Sequence, residues 1–388
     1  MIRETDPPRV VSLFSGIGGF EKGLEKAGYA TVLMCESDPV ARAVLEDRFP
    51  NIKIAPDVKT LDSIPDCDLL TAGWPCQDIS LAGAMKGLGG DRSGLITEVF
   101  RLIAAADRKP AYVLLENVAF ALDLHKGESV RYVTRRFEEL GYRWAYRILD
   151  TRAFGLPQRR RRLFVLAALN DSPEEILLDG LELEGQSLSA DPALVGFYWT
   201  EGNRGLGWSP EAIPPLKGGS GLSIPSPPAI WNRESSEFLS PGIEDAERLQ
   251  GFPINWTKAA DHFLKGSRQR WLLTGNAVSV PVAEWIGKRI RRQISSPEGE
   301  RQNSSQGDRL PRAAYGGPKS DIVGLSPKGE GPSNPTLSLL SDFGLCTPKP
   351  VSKRAIAGFT RRFEVAPLRK NQQFLEDLRS YLQLHQAA

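Results

Sequence analysis

The chain has 388 residues, of which 41% are hydrophobic and 25% charged, and its formal net charge is +2. That length supports two domains and a large core. A pI near 8.3 neither requires nor excludes nucleic acid, so such a ligand would need a local basic surface. The four cysteines, Cys35, Cys67, Cys76 and Cys346, form no C-x-x-C pair, which argues against zinc, a redox dithiol and a disulfide framework. With only His125, His262 and His385 available, no metal site is expected. Residues 1–9 are polar and carry Pro7 and Pro8, unlike a secretory signal, and no apolar run approaches the length of a membrane span. A soluble protein of the cytoplasm, with no membrane partner, is expected.

Arg9 to Phe14 reads as a first strand, followed by Ser15-Gly16-Ile17-Gly18-Gly19-Phe20 and a helical pattern from Glu21 to Ala27, closed by Gly28. Strand, glycine turn and helix together let a backbone approach a ligand at a helix N-terminus. The spacing is not the full G-x-G-x-x-G, and many tight turns carry glycines for packing only. Thr31 to Glu36 is a second strand, with Glu36 at its carboxyl end, about 20 residues past the turn, where an acid can bind ribose hydroxyls. Either Glu36 or Asp38 can instead cap the helix Pro39 to Arg48. Both roles hold if Asp38 caps and Glu36 binds. Asn51 to Ala55 is a short third strand, with Asp57 at the same sheet edge as a partner for an adenine amine or as a plain turn residue.

Cys67 to Ala72 reads as a short buried strand running into Gly73-Trp74-Pro75-Cys76-Gln77. Cys76 therefore belongs to the loop leaving the carboxyl end of a strand, the edge at which open α/β sheets bind ligands. Pro75 stiffens the entry to this loop. Ala82 to Asp91, with four glycines, reads as a mobile lid. A thiol held rigidly before a lid suits a nucleophile, and a buried small hydrophobe is the ordinary alternative. Both readings stand on this stretch alone.

Ser93 to Asp107 reads as a helix capped by Ser93, and Ala111 to Leu115 as a buried strand ending in Glu116-Asn117-Val118. Glu116 then shares the sheet edge with Cys76, where a carboxyl among apolar neighbours can exchange a proton near neutral pH, a solvated loop acid being the ordinary alternative. Ser129 to Leu140 is an amphipathic helix, and Arg143 to Leu149 a strand. Phe154 to Gln158 turns into Arg159-Arg160-Arg161-Arg162 and the strand Leu163 to Ala168. Alternation puts Arg160 and Arg162 on one face and Arg159 and Arg161 on the other, and a solvated face is the ordinary alternative for such a run.

Taken in order, these stretches resemble the DNA (cytosine-5) methyltransferase family. Phe14 to Gly19 matches its first cofactor motif, and Glu36 and Asp57 its two cofactor acids. Gly73 to Gln77 matches its proline–cysteine motif; Glu116-Asn117-Val118 and Gln158 to Arg162 match two further catalytic motifs. Arg248-Leu249-Gln250-Gly251-Phe252-Pro253 and Gly275-Asn276-Ala277-Val278-Ser279-Val280-Pro281 match the last two, so the likeness spans roughly residues 9–292. It implies an α/β, Rossmann-like S-adenosylmethionine-dependent methyltransferase fold with a smaller target-recognition domain and a C-terminal extension. The expected boundaries are 1–180 for the first part of the catalytic domain, 181–243 for target recognition, and 244–294 for the hinge and return. Residues 295–335 are expected to be a disordered linker and 336–388 a small accessory segment, so deleting 300–388 should leave chemistry possible.

The resemblance also implies roles. Cys76 is the nucleophile at cytosine C6, Glu116 holds the base at N3 and its exocyclic amine, and Arg160 and Arg162 contact the flipped base and its strand. S-adenosyl-L-methionine is the implied donor, leaving as S-adenosyl-L-homocysteine. Its site would draw on Phe14, Ser15, Gly16, Ile17, Gly18, Gly19, Glu36, Ser37, Asp57, Val58, Pro75, Asn276, Ala277 and Val278. Ser37 stands where many relatives carry an aromatic or bulky apolar residue. Pro215-Leu216 stands where they commonly have Thr-Leu. The implied partner is double-stranded DNA, with Arg204, Lys217 and Arg233 as candidate contacts or ordinary surface charges; the enzyme is expected either to accompany a cognate restriction endonuclease or to be solitary, and to be a monomer. Two alternatives remain: a tRNA cytosine-5 methyltransferase and a non-catalytic DNA-binding relative.

Overall fold

The computed structural model describes residues 6–74, 94–180, 191–201, 205–217, 227–264, 266–292 and 309–384. Cys76, Pro75, Arg204, the expected lid at 82–91 and the Ser93 cap lie outside them. The chain divides into two compact units, each discontinuous in sequence. The first comprises Met1–Asp150, Arg161–Gly185 and Val278–Pro335, and the second Thr151–Arg160, Gln186–Ala277 and Thr336–Ala388.

The first unit is built on a nine-stranded sheet. Its strands are β1 (Arg9–Leu13), β2 (Ala30–Cys35), β3 (Lys53–Ala55), β4 (Leu69–Gly73), β5 (Tyr112–Val118), β6 (Arg143–Asp150), β7 (Arg161–Ala168), β8 (Ala313–Gly317) and β9 (Ser320–Leu325). Their order across the sheet is β9-β8-β6-β7-β5-β4-β1-β2-β3. The five strands β1 to β5 run parallel, and β6 to β9 join antiparallel. Val10, Val11 and Leu13 of β1, Leu69 and Leu70 of β4 and Val113 to Leu115 of β5 are all buried, as strands covered on both faces require. β1 pairs with β2 on one side and β4 on the other, so the strand order reverses there. Ligands of such sheets bind beyond the carboxyl ends at that reversal.

The helix Val280–Arg292 returns to this unit and lies against the helix Gly19–Lys26. A Cβ on Gly23 would stand 2.5 Å from the Val280 carbonyl oxygen, so the closeness of the two helices requires that glycine. Tyr29 OH donates to the Gly287 carbonyl (3.1 Å) and closes the far end of the contact.

Residues 309–335 are not a linker. Ala313 to Gly316 pair with Arg147 to Trp144 of β6, and the hairpin β8–β9 extends the sheet. Gly316 and Gly317, which read as linker composition, are demanded by packing: a Cβ on Gly316 would lie 2.8 Å from the Trp144 ring, and one on Gly317 2.9 Å from Arg143 Cγ. Arg147, fully buried in β6, donates to the carbonyls of Leu177 (3.1 Å), Gly329 (3.3 Å) and Gly331 (3.0 Å), which latches the segment after the hairpin.

The second unit holds a five-stranded antiparallel sheet, ordered Lys349–Pro350, Glu237–Ser240, Ala229–Asn232, Leu194–Phe197, Ser209–Pro210. Two C-terminal helices, Lys353–Val365 and Gln372–Leu384, cover it. Their Ile356, Phe359, Phe363, Phe374 and Leu378 share one core with Val195, Phe197, Trp231 and Phe238 of the sheet. The C-terminal stretch is therefore half of this unit's core and supplies an edge strand, rather than an accessory to a unit that ends at 243. The expected helix from Asn371 is present; its amphipathic stripe faces that sheet.

Candidate active site

The loop between β1 and the first helix is shaped by unusual backbone. Phe14 (φ 55°), Gly16 (φ 57°) and Gly18 (φ 88°) are left-handed. For Phe14 that conformation is disfavoured by about 1–2 kcal/mol, so the fold holds it there. A Cβ on Gly18 would lie 2.6 Å from the Phe49 ring, and one on Gly19 2.3 Å from the Val278 carbonyl oxygen. A Cβ on Gly16 would meet nothing within 4 Å. The loop is thus packed beneath Gly18 and Gly19 and open above Gly16. Ser15 N–H donates to the Cys35 carbonyl (3.0 Å), fixing the loop to the end of β2.

Glu36, one residue past β2, organises the adjoining edge. Its Oε2 accepts from Gly16 N–H and its Oε1 from Asp38 N–H, both at 2.8 Å. Asp38 caps the following helix, accepting from Val40 N–H at 2.8 Å. The two acids therefore divide the work: Asp38 caps, and Glu36 keeps free lone pairs toward the loop. Ser37 is exposed. Asp57, past β3, accepts from Lys59 N–H (2.9 Å) as the cap of a short turn that begins at the buried Val58. Both Glu36 oxygens and one Asp57 oxygen thus accept from backbone N–H groups, and the remaining lone pairs suit hydroxyl or amine donors.

The carboxyl end of β4 is the meeting point of the edge. A Cβ built on Gly73 would have Glu116 Oε2 at 3.7 Å, the Phe14 carbonyl at 3.9 Å and Val278 Cγ2 at 3.9 Å. Glu116 lies inside β5, which runs to Val118, rather than on the loop after it. Arg162, paired across the sheet through Val118, places its Nε 3.0 Å from Glu116 Oε1. An acid and a guanidinium with about a tenth and a fifth of their side chains exposed thus share the edge that precedes Cys76 by three residues.

The arginine run does not act as a unit. Arg161 pairs with Glu330, and Arg159 donates to the Trp208 carbonyl (2.8 Å). Arg160, 1% exposed, belongs to the second unit, where it donates to the carbonyls of Gly275 (2.9 Å) and Ala277 (2.7 Å). It thereby clamps both sides of the exposed Asn276, at the end of the helix Gly266–Asn276. Gln158 works on the same unit, donating to Leu249 O (2.8 Å) and accepting from Leu216 N–H (2.9 Å). Of the arginine pair expected to face a base together, then, Arg162 belongs to the acid and Arg160 to backbone carbonyls. Lys217 and Arg233 are engaged as well, Lys217 with Glu201 and the Tyr198 ring (3.7 Å), Arg233 with Asp191 and Gln373.

Two features escaped the sequence pattern. Glu21, in the first helix, is 1% exposed beneath the glycine loop. Burial drives its carboxyl above the usual range, the nearby Ser12 and Ser15 hydroxyls opposing this without forming well-aligned hydrogen bonds. Behind it, Thr71 Oγ1 of β4 donates to Ser12 Oγ of β1 (3.0 Å), joining the two strands at the reversal. The described cysteines differ from a catalytic thiol. Burial pushes Cys35 and Cys67 up to about 12, and Cys346 lies in the second unit.

A family profile described as C-5 cytosine-specific DNA methylase matches residues 8–191. The chain is 44% identical to the type II methyltransferase M2.BsuMI of Bacillus subtilis, over 91% of this chain and 92% of that protein. It is 35% identical to the type II methyltransferase M.Bsp6I of a Bacillus species, over 74% of this chain and 99% of that one. Among solved structures, the Dnmt2 methyltransferase of S. pombe superposes with a TM-score of 0.55 at 18% identity, over 74% of this chain and 99% of the other, a likeness of fold.

Proposed function

The chain belongs to the C-5 cytosine-specific DNA methylase family, and from that premise we propose that Cys76 opens a covalent route to cytosine C5 at the edge marked by Gly73. Cytosine C5 is a poor nucleophile. A thiolate adding at C6 converts the ring to an enamine with electron density on C5. The observation that supports this reading best is the position of Glu116 and Arg162 at the end of β4, with Cys76 three residues downstream.

The family implies a methyl donor of the S-adenosylmethionine type, and the residues fit it. Gly16 leaves open space above the loop, Glu36 has lone pairs for ribose hydroxyls, and Asp57 can accept from an adenine amine. Phe14 to Gly19, Val58 and Val278 would line the site, with Pro75, Asn276 and Ala277 completing it. When bound, S-adenosyl-L-methionine supplies an electrophilic methyl group and leaves as S-adenosyl-L-homocysteine.

In the proposed sequence the Cys76 sulfur bonds to C6, with Arg162 as the nearby positive charge that favours a thiolate. Glu116 accepts from the exocyclic amine and, once protonated, donates to N3, steadying the charge that attack places on the ring. Once C5 carries the methyl group, its proton departs to solvent or a base. The electrons of the C5–H bond re-form the C5=C6 double bond, and the Cys76 sulfur is expelled. The target base leaves its duplex to reach the thiol. Arg160 acts by holding the Asn276 turn rather than by touching the base.

Duplex DNA is the substrate, and the RNA and non-catalytic readings are not favoured. The type II names of the relatives support a companion endonuclease that reads the same site. The reaction belongs to the cytoplasm, and among the described residues no helix is long and apolar enough to cross a membrane. Labelled methyl from S-adenosylmethionine, offered with duplex DNA or tRNA, tests the reading. Label is expected in DNA as 5-methylcytosine with the wild type and in neither nucleic acid with Cys76→Ser. Label in tRNA alone would overturn it.

A further inference from the structure

Residues 349–370 carry seven cations, Lys349, Lys353, Arg354, Arg361, Arg362, Arg369 and Lys370, and a single acid, Glu364. In a chain whose net charge is only +2, this is a strong local excess. Glu364 does not offset it, because its carboxylate is taken by Arg379 (2.8 Å). Elsewhere in the second unit arginines are mostly committed. Arg160 and Arg362 hold carbonyls, Arg248 holds the carbonyls of Phe343 and Gly344, and Arg233 and Arg270 pair with carboxylates. Lys349, Arg354, Arg361 and Arg369 differ. All four are exposed, and among the described residues none has a carboxylate or carbonyl partner.

Their placement is directional. The helix Lys353–Val365 turns Ile356, Phe359 and Phe363 into the core. Arg354 and Arg361 are seven residues apart, hence two turns and about 10 Å apart on the opposite face. Gly358 lies between them, and a Cβ there would meet only the tip of Arg362, at 3.5 Å. At Gly358 the helix surface between the two guanidinium groups thus carries no side chain of its own. Lys349 sits on the edge strand before the helix, and Arg369 follows its end.

A merely solvated helix face carries both signs. A face of exposed cations around a glycine fits a polyanionic rod. We infer that this C-terminal helix, with Lys349 and Arg369, is a clamp for the phosphate backbone of duplex DNA, holding the substrate by charge without reading its sequence. The inference rests on the chain acting on duplex DNA. It assigns a substrate-binding surface to a segment that follows the last of the family motifs.

The test compares full-length wild type with Arg354→Gln/Arg361→Gln/Arg369→Gln, in the presence of S-adenosyl-L-homocysteine. Binding to a mixed-sequence duplex is measured by fluorescence anisotropy across salt concentrations. Each lost phosphate contact lowers the slope of log affinity against log salt by about 0.9, so a fall of about 2–3 is expected. Affinity at low salt should drop at least tenfold, while the methylated sites and the turnover at saturating DNA stay unchanged. A second variant, Lys26→Gln/Lys53→Gln/Arg135→Gln, removes three exposed cations from the first unit and controls for net charge. An unaltered slope, or one lowered equally by the control, would overturn the inference. Because the slope is read from binding alone, wild-type turnover on DNA remains a separate check on the parent reading. The altered side chains have no partners to lose among the described residues, and thermal melting verifies that the variant stays folded.

Discussion

Arg162 Nε stands 3.0 Å from Glu116 Oε1, an ion pair set into the sheet between neighbouring strands β5 and β7. The other oxygen of this acid, Oε2, is the nearest described atom to the Cβ position of Gly73 outside its chain neighbours, at 3.7 Å. Glu116→Gln keeps the shape of the side chain and removes its charge. Turnover should fall by about 10²–10³, the usual consequence of losing one group that stabilises developing charge. Cofactor affinity, measured by titration calorimetry, should change little. A variant that lost cofactor binding and turnover together would instead place Glu116 in the cofactor site.

Glu36 is the opposite case. Both of its oxygens hold backbone N–H groups, one of them on the glycine loop after β1. Glu36→Gln replaces one acceptor with a donor facing an N–H. Hydrogen bonds to charged groups contribute about 1.5–3 kcal/mol, so cofactor affinity should weaken by roughly tenfold or more. Turnover at saturating cofactor should be largely retained. Unchanged affinity in calorimetry would remove Glu36 from the proposed cofactor set.

Glu21 predicts a pH dependence of stability. Its folded carboxyl is raised by burial above the free value of 4.5, with the charge of Glu36 adding to the rise. The folded state therefore keeps a proton that the unfolded chain releases. The contribution of this group is fully present below about pH 4.5 and is lost as pH rises through the folded value. Glu21→Gln, which cannot ionise, should flatten that part of the profile and be more stable than wild type at alkaline pH. Urea unfolding midpoints measured against pH decide the matter; superimposable profiles would show that Glu21 is not held protonated.

Phe374 is the hub of the second unit. Its ring centroid lies 5.0 Å from Trp231, 5.1 Å from Phe197 and Trp208, and 5.6 Å from Phe363. Phe374→Ala should cost about 3–5 kcal/mol of stability. A chain ending at Pro335 should expose the sheet face of this unit and lose sequence-specific binding. Deletion of 300–388 is thus expected to be destructive, because it also removes β8 and β9. A soluble truncation that still methylates specific sites would show that the unit folds without its C-terminal half.

The parallel part of the fold was legible because its strands are short apolar runs, each followed by its candidate site residue at the same edge. Gly16, Glu36, Asp57 and Gly73 all emerged from that one regularity. The strand Tyr112–Val118 runs beyond its apolar stretch because Glu116 is paired by Arg162 and does not need solvent. The hairpin at 313–325 was hidden since its glycines serve the Trp144 ring and Arg143, neighbours far off in sequence. The C-terminal helix was visible as an amphipathic stripe, but a stripe does not name what covers it. Strand alternation likewise put Arg160 and Arg162 together, whereas Arg160 precedes β7 and bonds within a different unit.

The most direct measurement traps the covalent step. In duplex DNA amplified with 5-fluorodeoxycytidine in place of deoxycytidine, the C5 substituent cannot leave as a proton once the methyl group has been transferred. Elimination of the thiol is then blocked. Wild type with S-adenosylmethionine should give a protein–DNA adduct that survives denaturation, mapped by mass spectrometry to the peptide containing Cys76, and Cys76→Ser should give none. An adduct that forms equally in Cys76→Ser, or maps to another cysteine, would contradict the proposed chemistry.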